Sequence, residues 1–379
     1  MEKSFISPKL REPVKMRNIA ESLSLSIATV SRALRHVPGI NAETRAQVFA
    51  TAAQLGYRLP QSYSAQELDD ETLQHVGVLI QTPQAQAPAP LYLVGMSEAA
   101  MGINASLVVH YVNPERCMDM LETKYQPRAM QLGILAGVIF IYRWPIEVVR
   151  AISNHYKAVS IMNRYRDVDM DLIGVDNHAG SDLLMRNLHD LGHRKIGFLG
   201  RCAELDWASE RFGGYVASLS TLGLNYDPDL VLDTTSEMLT SPRAPVHEIM
   251  ARAEKLVREM QVTAWLCSTE TAGLQLHSYL TARGLRVPED VSVTGFHRAD
   301  NGTRDDLQLT STVASYEGMG AAALKRLLYR IQNPSESTRS VLFPFEMYHG
   351  KTVGAPPRSS AVLERVLSNV EIQQSLLAS

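Results

Sequence analysis

The forty-four residues from Val14 to Tyr57, VKMRNIAESLSLSIATVSRALRHVPGINAETRAQVFATAAQLGY, leave room for little except three short helices in a small bundle. Arg17 to Leu23 reads as a first helix, with Ile19 and Leu23 four apart on one face. Ser24 and Leu25 make the turn. Ser26 follows as an N-cap, because its hydroxyl can accept an otherwise unpaired first-turn N–H. The second helix, Ile27 to Arg35, buries Val30 and Leu34 and turns Ile27, Ala28, Thr29, Ser31, Arg32 and Arg35 outward. Asn41 caps a third helix, with Glu43 in the first turn where negative charge suits the helix dipole. That helix runs through Val48, Ala52 and Leu55 to a stop at Gly56. Helix, tight turn, exposed helix and third helix is the plan of a helix-turn-helix DNA reader.

The residue pattern is more specific than the plan. IAESLSLSIATVSRALR followed by INAETRAQVFATAAQLGY resembles the headpiece of the lactose-repressor (LacI/GalR) family of bacterial transcription regulators. Ser26, Thr29–Val30–Ser31–Arg32, Thr44–Arg45 and Leu55–Gly56–Tyr57 carry the match. Base reading is expected from the start of the second helix. Ile27 and Ala28 suit thymine methyls, and Arg32 can bridge guanine O6 and N7 in the major groove. The resemblance places Thr29, Ser31 and Thr44 on phosphates, with Ser26 and Tyr57 completing the DNA-facing set. Arg35 and Arg45 could equally pair with carboxylates. The implied partner is a palindromic double-stranded operator bound by a homodimer, since two-fold protein symmetry mirrors operator symmetry.

Charge is distributed in keeping with a DNA-binding end. Residues 1–60 hold nine Lys/Arg against four Asp/Glu, whereas the remainder holds 28 against 36. The headpiece is read over 14–60, with a linker over 61–74 that ends in an acidic run at Glu67, Asp69, Asp70 and Glu71. Ala65 and Leu68 offer the element with which a family hinge helix enters the minor groove, although the nearby acids oppose phosphate. From His75 short apolar runs alternate with helical stretches. Strands are expected at Val76–Ile80, Ser106–Val109, Gly137–Ile141, Ala158–Ile161, Lys195–Leu199, Ala264–Cys267 and Val291–Gly295. Helices are expected around Gly95–Ala105, Lys124–Leu135, Ile146–His155, Asp182–Leu191, Glu210–Leu222 and Leu274–Arg283. This alternation predicts an α/β fold with two doubly wound parallel sheets.

The resemblance resumes in LIGVDNHAGSDLLMRNLHDLGHRKIGFLG, ERFGGYVASLSTLGL, GLRVPEDVSVTGF and LTSTVASYEGMGAAALKRLLYRI. It implies a two-lobed effector domain over 75–353, related to periplasmic sugar-binding proteins. The first lobe is expected at 75–173 and 313–337, the second at 174–312 and 338–353. Residues 354–379 form an extension in which Leu363, Leu367, Val370, Gln374 and Leu377 recur at heptad spacing, but two heptads are too few to stand alone, so a helix docked on the body is expected.

A ligand should sit in the cleft where strand C-termini of both sheets converge. Arg211 matches a family arginine that binds ligand oxygens, with a surface ion pair to Glu210 as the plainer alternative. The family's Asn-Asp pair is Thr269–Glu270 here, an expected aspartate is His297 followed by Arg298, and Trp207 replaces a smaller residue. Losing a carboxylate and gaining an imidazole predicts a more cationic pocket, suited to an acidic sugar derivative. Trp207 can still stack on a sugar face.

Other classes fit less well. A periplasmic binding protein would explain the lobes but not the headpiece. MEKSFISPKL lacks the apolar segment of a signal peptide, and no apolar run approaches the ~20 residues of a membrane span, so a cytoplasmic protein is expected. An enzyme would need a constellation the sequence lacks: Gly197–Phe198–Leu199–Gly200 misses nucleotide-loop spacing, and no G-x-S-x-G appears. Cys117, Cys202 and Cys267 are isolated and the histidines scattered, so neither metal nor cofactor is expected.

Overall fold

The structure is a computed structural model that describes residues 15–34, 40–55, 73–81, 89–240, 244–296 and 308–357. The chain divides into two compact units, residues 1–72 and 73–379.

The first unit holds α1 (Met16–Leu23), α2 (Ile27–Leu34) and α3 (Ala42–Leu55). The chain leaves α1 through Ser24, whose left-handed backbone (φ 53°) returns its N–H to the helix carbonyls of Ala20 and Glu21. Ser26 then opens α2: its Oγ accepts the Thr29 N–H at 2.9 Å and lies 2.7 Å from Thr29 Oγ1. Asn41 opens α3 in the same way, its Oδ1 accepting the Thr44 N–H at 2.7 Å. These caps aim one apolar stripe of each helix inward. Ile19, Ala20, Val30, Ala33, Leu34, Val48 and Ala52 form the shared core. Leu55, which continues the series in α3, is 39% exposed at the last turn. Arg35, Gly56, Tyr57 and the linker element at Ala65–Leu68 lie outside the described residues.

In the second unit, the first lobe opens with β1 (Gln74–Gln81), α4 (Ala89–Met101) and β2 (Ala105–Val112). Two 3₁₀ turns, Pro114–Leu121 and Thr123–Tyr125, lead to α5 (Arg128–Gln131), β3 (Leu135–Ile141), α6 (Ile146–Ser153), β4 (Lys157–Ile161) and β5 (Met170–Val175). The second lobe continues with α7 (Asn177–Asp190), β6 (Ile196–Arg201), α8 (Asp206–Thr221), β7 (Val231–Asp233), α9 (Ser236–Thr240) and α10 (His247–Met260). It closes with β8 (Ala264–Cys267), α11 (Glu270–Ala282) and β9 (Ser292–Thr294). The chain then returns through β10 (Ser311–Val313), α12 (Tyr316–Gln332), β11 (Ser340–Phe343) and β12 (Glu346–Tyr348).

Strand order is β11-β5-β4-β3-β1-β2 in the first lobe and β7-β6-β8-β9 in the second, with every ladder in both sheets parallel. Alternation along each strand decides which layer it feeds. In β3, Ile139 and Ile141 join the core under α4 and α12, whereas Val138 and Phe140 face the core under α6. In β8, Ala264 and Leu266 meet α7 and α8, whereas Trp265 and Cys267 meet α10 and α11. Both sheets are therefore covered on both faces, as parallel sheets require. No described helix is long and apolar enough to cross a membrane.

Three expectations are corrected. Lys124–Leu135 is not one helix but 3₁₀ turns and the single turn α5, because Pro127 lacks an N–H to give and Gly133 leaves at φ 65°. β5 was not anticipated, since Asp171 interrupts its apolar run. The third crossing between lobes falls after Phe343 rather than near Ser337. Residues 340–343 pair with 172–175 as the edge strand of the first lobe, and only β12 crosses, pairing antiparallel with β10.

Asp171 explains both late corrections. It is 1% exposed, and its carboxylate accepts from Arg330 Nη1 at 2.9 Å, Arg326 Nε at 3.1 Å and the Arg339 backbone N–H at 2.6 Å. Arg330 is itself 2% exposed. Removing the anion leaves the buried Arg330 with only the solvent-exposed Asp169, 3.0 Å from its Nη2, as carboxylate partner, so Asp171→Ala should cost up to ~3–5 kcal/mol. Lys157→Ala, which breaks only a solvent-exposed pair with Asp169, should cost under about 1 kcal/mol. Urea titration of the two variants checks the contrast.

His193 gives a pH prediction. It is fully buried, 2.9 Å from Thr263 Oγ1 and 2.8 Å from the Gly354 carbonyl. Burial holds its pKa below the ordinary 6.5, so the native state favours the neutral ring. Its contribution is fully present above pH 6.5 and is lost as pH falls from there toward the native pKa. Unfolding free energy should therefore fall more steeply from pH 7 to pH 5 in the wild type than in His193→Gln.

Candidate functional site

On the first unit, the candidate surface is the N-terminal half of α2. Ile27 is 51% exposed although it opens the helix, and Ala28 and Arg32 are exposed beside it. Thr29 and Ser31 are partly buried, Thr29 held by the Ser26 cap. Thr44 is partly buried at the start of α3. Small apolar groups, hydroxyls and one guanidinium are thus carried on a helix whose other face is locked into the Ile19–Val30–Val48 core. Tyr57 lies outside the described residues.

In the second unit the described sequence-derived residues stand on α8, which carries Trp207 and Arg211, and at the start of α11, with Thr269 and Glu270. Arg211 is 3% exposed, with its guanidinium 4.7 Å from the Trp207 ring centroid and 4.0 Å from that of Phe296. Its Nε donates to Asn177 Oδ1 at 2.8 Å and its Nη1 to the Ser268 carbonyl at 2.6 Å. Glu210 does not pair with it directly, and its carboxylate instead accepts from Asn177 Nδ2 at 2.7 Å. The surface ion pair considered from sequence is therefore replaced by a buried cation reached through an amide. Burial lowers the Arg211 pKa from 12.5 to about 9, against the opposing influence of Tyr316 and Glu210. The group remains protonated at neutral pH, and any anion placed beside it offsets a desolvation cost already present.

Thr269 turns out to be the N-cap of α11, its Oγ1 accepting the Ala272 N–H at 3.0 Å. Glu270 follows in the first turn, anchored by its backbone N–H to the Phe296 carbonyl at 3.1 Å. Its carboxylate acts electrostatically on Tyr316. His297 and Arg298 lie outside the described residues.

Sequence reasoning missed Asn177, Phe296 and the tyrosines of the first lobe. Asn177 and Phe296 stand in the quoted GVDN and VTGF segments, each immediately past a strand end, and that position was the available signal. Tyr316 begins α12 and meets Tyr92 edge-on, with ring centroids 5.6 Å apart. Tyr142 Oη accepts the Ala89 N–H at 2.9 Å. Burial raises the pKa of both Tyr316 and Tyr142, keeping them neutral donors. Tyr92 is 1% exposed, and its hydroxyl finds no partner among the described residues. Beside Trp207, a cavity of about 440 Å³ opens between the lobes, lined by Arg143, Trp144, Met162 and Tyr165 on one side and Glu204 and Trp207 on the other, with Arg211 behind Trp207 and not itself in the lining. Arg143 Nη1 reaches across it to the Glu204 carbonyl at 3.3 Å.

Comparison with known proteins agrees with both halves of this geometry. Residues 15–59 match the model for bacterial regulatory proteins of the lacI family, and residues 185–353 match the periplasmic binding protein-like domain. The HTH-type transcriptional regulator AglR of Rhizobium meliloti (strain 1021) is 28% identical over 363 residues, covering 92% of this chain and 96% of that protein. The crystal structure of the lac repressor dimer bound to operator and the anti-inducer ONPF superposes with a TM-score of 0.60 at 22% identity, covering 91% of this chain and all of that one. A transcriptional regulator CelR–cellobiose complex superposes at 0.58 with 19% identity, covering 89% and 99% of the two chains. With a helix-turn-helix headpiece and a periplasmic-binding-type second domain matched in order along one chain, the protein belongs to the lacI family of bacterial regulatory proteins.

Proposed function

We propose that the chain represses transcription as a homodimer on a roughly palindromic operator, and that a small carbohydrate-type effector in the Arg211 cleft controls it. The observation that carries the DNA half is α2 itself, capped by Ser26 and presenting Ile27, Ala28 and Arg32 on its exposed face. The lac repressor neighbour was solved as a dimer on operator, which supports the same assembly here. Apolar side chains left bare on the first lobe, Met101 at 84% and Tyr111 at 54% exposed, suit a second copy of the chain. Arg32→Ala should cost ~1–3 kcal/mol on the preferred site and relax one base position per half-site. Equal weakening on every sequence, measured by selection from randomised DNA, would reassign Arg32 to a phosphate.

The effector half rests on Arg211. A guanidinium held between two aromatic faces, with neutral phenols nearby, suits an oxygen-rich ligand with an apolar face. Cellobiose in a neighbour of the same fold is in keeping with that class. An acidic sugar is the finer reading, because a carboxylate would offset the buried charge of Arg211 where a hydroxyl would not. Titration calorimetry of gluconate against glucose should show the acid binding at least about tenfold tighter, with Arg211→Met erasing the difference. Equal affinities in the wild type would refute the acidic-sugar reading and leave the operator reading standing. Footprinting with the bound ligand then gives the direction of control.

A further inference from the structure

Alternation in β4 turns Val159 and Ile161 toward the core under α12. Ser160, between them, therefore faces the opposite side of the sheet. It lines a second cavity, of about 350 Å³, with Arg164, Arg166, Thr338, Arg339 and Ser340. Every lining residue belongs to the first lobe, and neither Arg211 nor Trp207 is among them.

Its charge is one-sided. Arg164 donates Nη1 to Ser340 Oγ at 3.2 Å and forms no ion pair with a described residue. Arg166 likewise forms none among the described residues, and Arg339 pairs with Glu336. The lining carboxylate, Asp171, is engaged by Arg326 and Arg330 and by the Arg339 backbone N–H. Ser160 supplies an independent observation. It is 1% exposed, lines the cavity, and its Oγ has no hydrogen-bond partner among the described residues. Buried hydroxyls are ordinarily paired, and leaving one unpaired is costly.

We propose that this cavity binds the phosphate group of a small metabolite, as a second ligand site beside the effector cleft. Guanidinium forks match phosphate oxygens in geometry and charge, and the Ser160 hydroxyl supplies a neutral donor from the floor. Asn163, Arg164, Tyr165 and Arg166 line both this cavity and the one between the lobes. An occupant here would therefore fix the first-lobe lip of the cleft.

The test is calorimetric titration of the full chain with glycerol 3-phosphate, inorganic phosphate and glycerol at constant ionic strength. The ester should bind saturably at one site per chain, and glycerol should not bind. Parallel binding by inorganic phosphate would show that the phosphate group suffices, whereas binding by the ester alone would show that the metabolite body is also read. Arg166→Gln should weaken the ester about tenfold. Ser160→Ala should weaken it severalfold, while leaving the ligand-free melting temperature unchanged or higher, because the deleted hydroxyl is unpaired. No saturable binding up to roughly 10 mM, an affinity near the weak end of specific recognition, would overturn the proposal. So would weakening by Arg166→Gln but not Ser160→Ala, since Arg166 lines both cavities and Ser160 only this one. Operator binding by the same preparations reads the regulatory function independently.

Discussion

Burial of one guanidinium organises the second unit. Arg211 can lie inside the protein only because four separate segments converge on it. Asn177 comes from the start of α7, the Ser268 carbonyl from the end of β8, Phe296 from the end of β9, and Trp207 from one turn earlier in α8. Each of these points except Trp207 sits where a strand of a doubly wound fold has just ended. That is where such folds present backbone groups and loops to a ligand. Tyr316 adds a contribution from α12, the first helix after the chain returns to the first lobe. Desolvation lowers the pKa of the group, and the converging dipoles and aromatic faces limit what that burial costs.

Much of this was legible in the sequence, for reasons that differ by region. The headpiece helices could be placed because Ser26 and Asn41 are strong caps and because Ile19 and Leu23, Val30 and Leu34, and Val48 and Ala52 each stand four apart in their own helix. The central strands were legible where apolar runs are unbroken, as in β1 and β3. β5 escaped because a charged residue lies in its middle, and nothing local reveals that Arg326 and Arg330, some 155 and 159 positions later, neutralise it. β11 escaped because it is four residues long and mostly exposed, and its place comes from a parallel ladder with the distant β5. Thr269 was read for its place in a ligand motif, whereas its hydroxyl serves the helix it begins.

The site was legible only in part. Arg211 and Trp207 stand on one helix at a spacing of four, so their proximity follows from helical geometry alone. Asn177, Phe296 and Tyr316 come from three other elements, and no periodicity within one segment links them. The identity of Arg211's partners therefore depended on tertiary topology. The buried amide between Arg211 and Glu210 shows the consequence: two sequence neighbours of opposite charge interact through a residue thirty-odd positions away.

The first lobe has a packing constraint that bears on how a ligand is sensed. A Cβ added to Gly95 would sit 1.9 Å from the Glu317 carbonyl oxygen, and one added to Gly320 would sit 2.0 Å from that of Tyr92. Backbone therefore meets backbone between α4 and α12, and no side chain lies between them to yield. Tyr92 and Tyr316 are carried by these two helices and face one another edge-on. A group that contacts either ring consequently pushes on the helix pair as one body, since close-packed elements transmit displacement more readily than they absorb it. Among the described residues the chain passes between the lobes after β5, after β10 and after β11, and β10 and β12 pair with each other there. On the effector reading proposed above, a ligand that bridged Tyr316 and Arg211 would act across that narrow connection, between a stiff helix pair on one side and a buried cation on the other, where hinge motion of two lobes is ordinarily concentrated.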